Sequence, residues 1–164
     1  MARKETKDLK VLSALIRGAR KSDRELAKTL KVSQPTVTRK RTELEKKGYI
    51  SEYTLIPDLT KMGFDFVAFT FLKFAEHRHE IIDRAQVWAR RRSCVIYATD
   101  GEGMGMNSLM VSVHEDYAGY SKLLSELQQD WQPNLTSTQT FMVSLARPEL
   151  LIKPLSFRYL DGNP

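Results

Sequence analysis

The residues best suited to chemistry in this 164-residue chain lie in one short run, Ser33-Gln34-Pro35-Thr36-Val37-Thr38-Arg39-Lys40-Arg41-Thr42. Their side chains match the polar edges of nucleic-acid bases. Arg pairs in two places with guanine O6 and N7, Gln pairs similarly with adenine, and Ser or Thr hydroxyls suit bases or phosphates. Projected as a helix from Val37, at about 100° per residue, the side opposite the apolar positions holds Pro35, Thr38, Arg39, Thr42 and Lys46. Gln34 and Thr36 lie nearer the start. This pattern assigns Gln34, Thr36 and Arg39 to base edges. Ser22, Arg24, Ser33, Thr38 and Lys40 are assigned to phosphate, which fixes register but carries little sequence information. Any of these residues is also compatible with a solvated surface side chain.

Other chemistry finds little support. A single cysteine, Cys94, excludes an internal disulfide and a Cys-based zinc site, and its neighbours Val95 and Ile96 suggest an inert strand thiol. His77 and His79 straddle an expected helix start and lack metal-ligand spacing with a carboxylate. No nucleophile elbow, phosphate loop or dinucleotide fingerprint occurs. The expectation is no catalytic residue, no metal and no cofactor. The start MARKETKDLK lacks a signal-peptide core, and no run approaches a membrane span, so a soluble, cytoplasmic protein is expected.

The elements that would position the polar run are legible around it. Leu9, Val11, Leu12, Leu15 and Ile16 recur at helical spacing, with Thr6 as cap and Gly18 after the last apolar position. Ser22-Asp23-Arg24-Glu25 has the form of a capping box opening a second helix that carries Leu26, Ala27 and Leu30. After a break at Lys31-Val32, Ser33 caps a third helix. Pro35 falls in its first turn, Val37 and Leu44 share a face, and Gly48 ends it. Two short helices with a tight turn inside a three-helix unit are the plan of a helix-turn-helix. Ala27 lets the helices cross closely, and Val37 fills the angle between them. Tyr49 to Ile56 then reads as a strand or small wing, followed by a linker punctuated by Pro57 and Gly63.

Charge agrees with this division. Residues 1 to 53 hold 15 Lys and Arg against 7 Asp and Glu, whereas residues 54 to 164 hold 11 against 13. A basic first third attached to a near-neutral remainder suits a polyanion-binding module, although a solvated basic face has the same composition. Arg90-Arg91-Arg92 is either a solvated helix end opposing the helix dipole or a contact for flanking DNA.

Residues 64 to 146 read as strand, helix, strand, strand, helix, strand. The segments are Phe64 to Phe74, His79 to Arg92, Cys94 to Thr99, Leu109 to Val113, Tyr117 to Trp131 and Thr136 to Leu145. A βαββαβ order is the ferredoxin-like plan, making the chain α+β. On the first strand Phe64, Phe66, Ala68, Leu72 and Phe74 point one way, while Val67, Phe69 and Phe71 point the other. Helices cover one apolar face; the second implies a homodimer. In the C-terminal extension, residues 147–164, Leu155, Phe157 and Tyr159 alternate as a further strand would. The Gly-rich stretch Asp100 to Asn107 is expected as a mobile loop whose backbone N–H groups suit a carboxylate, or as a plain hairpin.

The segment ELAKTLKVSQPTVTRKRTELEKKGYISEY resembles the DNA-binding part of the Lrp/AsnC, or feast-or-famine, regulators, with Leu9 through Tyr53 matching almost without gaps. The resemblance implies a winged helix-turn-helix over residues 1–53, a linker over 54–63 and a dimerisation and effector domain over 64–146. It further implies double-stranded DNA as partner and homodimers or higher homo-oligomers. The family's Gly-x-x-Asp pattern by its amino-acid site is matched most nearly by Gly105-Met106-Asn107-Ser108, with Ser in place of Asp. Gly103, Gly105, Asn107 and Ser108 are therefore the candidate effector residues. Two departures stand out. Lys31 occupies a turn position where Gly is usual, at a cost of about 1 kcal/mol if left-handed. Arg41, about 40° from Val37, replaces an apolar residue and is expected to snorkel or reach phosphate. Certain tetrapyrrole-processing decarboxylases resemble the same two-domain layout, and a winged helix can also serve as a protein-binding adaptor.

Overall fold

The computed structural model describes residues 7–76 and 79–161, so the expected cap Thr6 and His77 lie outside the described residues. The chain forms two compact units, residues 1–56 with 153–164 and residues 57–152.

The first unit is built from α1 (Lys7–Arg17), α2 (Asp23–Leu30) and α3 (Gln34–Lys46). Val11, Leu15, Leu26, Ala27, Val37 and Leu44 form its core, with Leu12, Ala14, Leu30 and Ile50 packed around them. Val37 is fully buried against the α2 crossing, which Ala27 keeps close. Burying a side chain such as Leu44 contributes about 1.5–3 kcal/mol. The capping box forms as expected: Glu25 N–H donates to Ser22 Oγ at 3.3 Å, and Ser22 N–H donates to Glu25 Oε2 at 2.7 Å. At the end of α2, Lys31 is left-handed (φ 53°, ψ 45°), and Val32 N–H reaches back to Ala27 C=O at 3.0 Å. Gly48 (φ 71°) closes α3 in a Schellman turn, with Tyr49 N–H on Leu44 C=O at 2.9 Å and Gly48 N–H on Glu45 C=O at 3.0 Å.

Three expectations change here. Residues 50–58 form no strand, because the three-helix unit offers them no ladder to join; Tyr53 instead donates to Glu45 Oε1 at 2.8 Å. The C-terminal extension is not a strand either. Phe157–Asp161 is a short 3-10 helix that packs on α1 within the first unit. The linker is also shorter than 54–63, since residues from Pro57 belong to the second unit, where Thr60 Oγ1 donates to Leu145 C=O at 3.4 Å.

The second unit contains β1 (Phe66–Phe74), α4 (His79–Arg90), β2 (Val95–Gly103), β3 (Met106–His114), α5 (Tyr117–Trp131) and β4 (Leu135–Ser144). The antiparallel sheet has the order β2-β3-β1-β4, which is the ferredoxin-like arrangement. Ala68, Thr70, Leu72 and Phe74 are buried on the helix-covered face, together with Met110, Leu123, Leu127 and Trp131. Arg92 fastens α4 to α5: its guanidinium lies 3.7 Å over the Trp88 ring and pairs with Glu126 at 3.0 Å and Asp130 at 3.2 Å. A small polar cluster sits in this core. His114 is hydrogen-bonded to Ser112 at 2.8 Å, and the Tyr120 hydroxyl bridges Thr70 and Thr140. Of the two readings of Asp100–Asn107 the structure has the hairpin, with a register shift between Asp100 and Gly103. Met104 (φ 51°) and Gly105 (φ 74°) make a two-residue turn of the type that suits strand twist, so β2 and β3 run on through Gly103 and Met106. No helix among the described residues is long and apolar enough to cross a membrane.

Candidate nucleic-acid interface

Pro35 in the first turn and the buried pair Val37 and Leu44 fix α3 as a helix with one face inward. Its other face presents exposed Gln34, Pro35, Thr38, Arg39, Thr42 and Lys46, with Thr36 partly exposed. The three residues assigned to bases are thus on the outer side or the first turn of one helix. Arg39 has 68% of its side chain exposed, and its contact is an i,i+4 pair with Glu43 at 3.5 Å. Such an exposed pair is weak, so it yields readily to a base or phosphate. Ser33 occupies the N-cap position of α3, but its hydroxyl bonds to Thr36 Oγ1 at 2.8 Å rather than to a backbone N–H. Arg24 is exposed on the first turn of α2.

Three of the residues assigned to phosphate use their protons within the DNA-free chain. A phosphate only accepts hydrogen bonds, and a hydroxyl has a single proton to give. Ser22 donates its proton to Glu25 Oε2 at 2.7 Å, which, with the serine N–H bond, holds that carboxyl below its ordinary range. Thr38 donates to Asp23 Oδ2 at 2.7 Å. Lys40 is turned away from the outer face, with 18% of its side chain exposed, and its ammonium lies 2.7 Å from Asp8 Oδ1 and 2.9 Å from Glu43 Oε2. Those bonds raise the Lys40 pKa and lower those of Asp8 and Glu43. Arg41 neither snorkels nor faces phosphate: its guanidinium pairs with Asp23 at 2.6 Å, and both side chains are 20% exposed. Asp8 and Asp23 were missed in the sequence because their partners come from another helix, whereas the i,i+3 and i,i+4 spacing of Lys40 and Arg39 from Glu43 was a signal that could have found it.

The candidate effector residues come together at the hairpin end of β2 and β3, where Gly103 pairs with Met106. Asn107 is engaged in the sheet, donating to Phe74 C=O at 2.8 Å and accepting from Phe74 N–H at 2.9 Å. Ser108 donates to Asp100 Oδ1 at 3.3 Å. Gly103 and Gly105 remain exposed.

Residues 4–51 match the family model for winged helix-turn-helix DNA-binding domains. The chain is 41% identical over 56 residues to the HTH-type transcriptional regulator LrpC of Bacillus subtilis, a match covering 34% of this chain and 39% of LrpC. The solved structure of LrpC superposes with a TM-score of 0.71 at 21% identity, over 86% of this chain and 94% of that one. The chain carries a winged helix-turn-helix DNA-binding domain and is similar in sequence to Lrp-type regulators over that part. An AsnC family regulator from Agrobacterium tumefaciens superposes with a TM-score of 0.77 at 19% identity, over 96% of this chain and 97% of that one. A Neisseria meningitidis regulator solved in complex with L-Met superposes at 0.74 with 18% identity, over 86% and 90% of the two chains. The chain spans about half the length of the curated relatives it matches by sequence. The structural likenesses show that the ferredoxin-like fold of the second unit is shared.

Proposed function

We propose that this chain is a sequence-specific transcription regulator that reads double-stranded DNA as a homodimer in the cytoplasm, with α3 in the major groove. The observation that carries the reading is the outer face of α3. It offers Gln34, Thr36 and Arg39 to bases from a helix whose opposite side is locked by Val37 and Leu44. Arg24, Ser33 and Lys46 flank that face as phosphate contacts, with Pro35 and Thr42 packing along the groove wall. Dimerisation is supported by the sheet face that the helices leave open. There Val67, Phe69 and Phe71 of β1 and Leu109 of β3 are half-buried, and Phe141 of β4, in register with Phe69, is 66% exposed. A sheet apolar on both faces needs a second cover, and a two-fold copy supplies it while presenting two recognition helices to a pseudo-palindrome. Higher homo-oligomers fit the same surface logic.

Modulation by a small molecule such as an amino acid is part of this proposal. It is supported by the L-Met complex of the Neisseria regulator. The backbone at Gly103 and Gly105 and the Ser108 hydroxyl are the contacts proposed here, while Asn107 holds the strand they hang from. The reading assigns the chain no catalytic step.

The test is selection of duplexes from a random pool by the purified full chain, with sequencing, at two salt concentrations. Enrichment of a motif with two-fold symmetry supports the proposal, and affinity then falls steeply as salt rises. A pool that stays random at both salts rejects it.

A further inference from the structure

Two polar residues of α3, Thr38 and Arg41, point at one carboxylate. Thr38 Oγ1 lies 2.7 Å from Asp23 Oδ2, and the Arg41 guanidinium lies 2.6 Å from Asp23 Oδ1. Residues three apart are neighbours on a helix surface, so this stretch of α3 is tied to the first residue of α2. The apolar contacts between these helices run through Leu26, Ala27 and Val37. Apolar contacts are non-directional and leave rotation about a helix axis weakly specified, whereas the directional Thr38 hydrogen bond, reinforced by an ion pair to the same carboxylate, specifies it. Arg41 Nε and Asp23 Oδ1 are both buried without a hydrogen-bond partner. The Arg41–Asp23 contact is therefore a close ion pair rather than an aligned hydrogen bond, and the guanidinium also contacts Lys21 C=O at 3.5 Å. Base contacts demand orientation within about 10–20°.

We propose that Asp23 is the positioning residue of the recognition helix: by holding Thr38 and Arg41 it sets the rotation of α3, and with it sequence selectivity, while touching no base. This rests on the reading that α3 enters the major groove. Simple electrostatics and positioning predict opposite outcomes. Asp23 is a negative charge beside a DNA-facing helix, and removing it by electrostatics alone tightens binding to every duplex alike. Removing a positioning residue instead leaves binding to random duplex equal or stronger and lowers the preference for the operator.

The experiment measures affinity of the full chain for the operator selected by wild type and for a random duplex of the same length. The proteins are wild type, Asp23→Asn, Thr38→Val and Thr38→Ser. The expected operator-to-random ratio falls about tenfold in Asp23→Asn and Thr38→Val, the scale of losing part of one bidentate base contact. Thr38→Ser, which keeps the hydroxyl, retains the ratio. Thermal melting of each variant reports whether it folds, and the two Thr38 variants carry the test if Asp23→Asn does not. A ratio unchanged or raised in both Asp23→Asn and Thr38→Val overturns the inference alone. A wild-type ratio near one instead overturns the DNA-reading proposal, and this inference with it.

Discussion

The Lys40 ammonium stands 2.7 Å from Asp8 Oδ1, joining α3 to α1 across the outer edge of the helix-turn-helix core. A basic residue in the middle of the proposed reading sequence is thereby engaged between two helices of the protein itself. The pair stabilises across neutral pH. Asp8, its pKa lowered chiefly by the Lys40 hydrogen bond, contributes above the ordinary carboxylate range and loses that contribution in acid; Lys40, raised, loses it only in strong base. Lys40→Ala is expected to lower the melting temperature more than Lys46→Ala does, while leaving the salt dependence of DNA binding unchanged. A salt slope reduced by about one unit in Lys40→Ala identifies it as a phosphate contact after all.

Lys31 stores strain at the end of α2, where its φ of 53° favours glycine. Lys31→Gly removes the Cβ conflict and is expected to stabilise the first unit by about 0.5–1 kcal/mol, set against the added freedom of Gly in the unfolded chain. Denaturant melts of the two proteins decide it. A less stable Lys31→Gly chain means that the backbone entropy outweighs the strain.

The elements that the sequence announced clearly were those with strong local signals. Residues Tyr120, Leu123, Leu127 and Trp131 on the apolar stripe of α5 became buried, and the helix has the expected bounds, Tyr117–Trp131. The Ser22 and Glu25 capping box formed as read. Asp100 to Gly103 carried the opposite local signal, poor in β-formers, yet pairing with Met106 and Ser108 draws it into β2; tertiary context outweighed propensity. Tyr49 to Ile56 failed for the reverse reason, being β-prone with no ladder in its own unit. In the candidate interface, exposure of Pro35, Arg39 and Thr42 was legible from helical projection. The loss of Thr38 and Lys40 to Asp23 and Asp8 was not, because cross-helix pairs leave no spacing signature.

His114 is 4% exposed, stacked on Phe66 with ring centroids 5.5 Å apart, and burial lowers its pKa, with Asp116 opposing. The unfolded chain therefore takes up a proton at higher pH than the folded one does. Stability of the second unit is full above the ordinary histidine range and falls as pH drops through about 6.5 toward the lowered folded value. Thermal melts between pH 8 and pH 5, about the range in which histidine titrates, should show this fall in wild type and a flatter profile in His114→Gln. Parallel profiles exclude His114 as the cause.

Phe141 stands 66% exposed on the open sheet face, in register with Phe69. A charge at that point leaves the isolated second unit intact but is costly to bury between two sheets. Phe141→Glu is expected to shift wild-type dimers to monomers in sedimentation equilibrium, with unchanged far-ultraviolet circular dichroism. Equal masses for the two chains remove this face from the dimer proposal.

The most direct test of the central claim, that Arg39 on α3 reads a base, is a double cycle between protein and operator. Wild type and Arg39→Ala are each titrated with the selected operator and with versions carrying one substituted base pair per half-site. The account predicts one G·C position whose substitution weakens wild type by about 10–100-fold yet leaves Arg39→Ala nearly indifferent. Losses that multiply independently at every position would contradict it, since Arg39 would then contribute only charge.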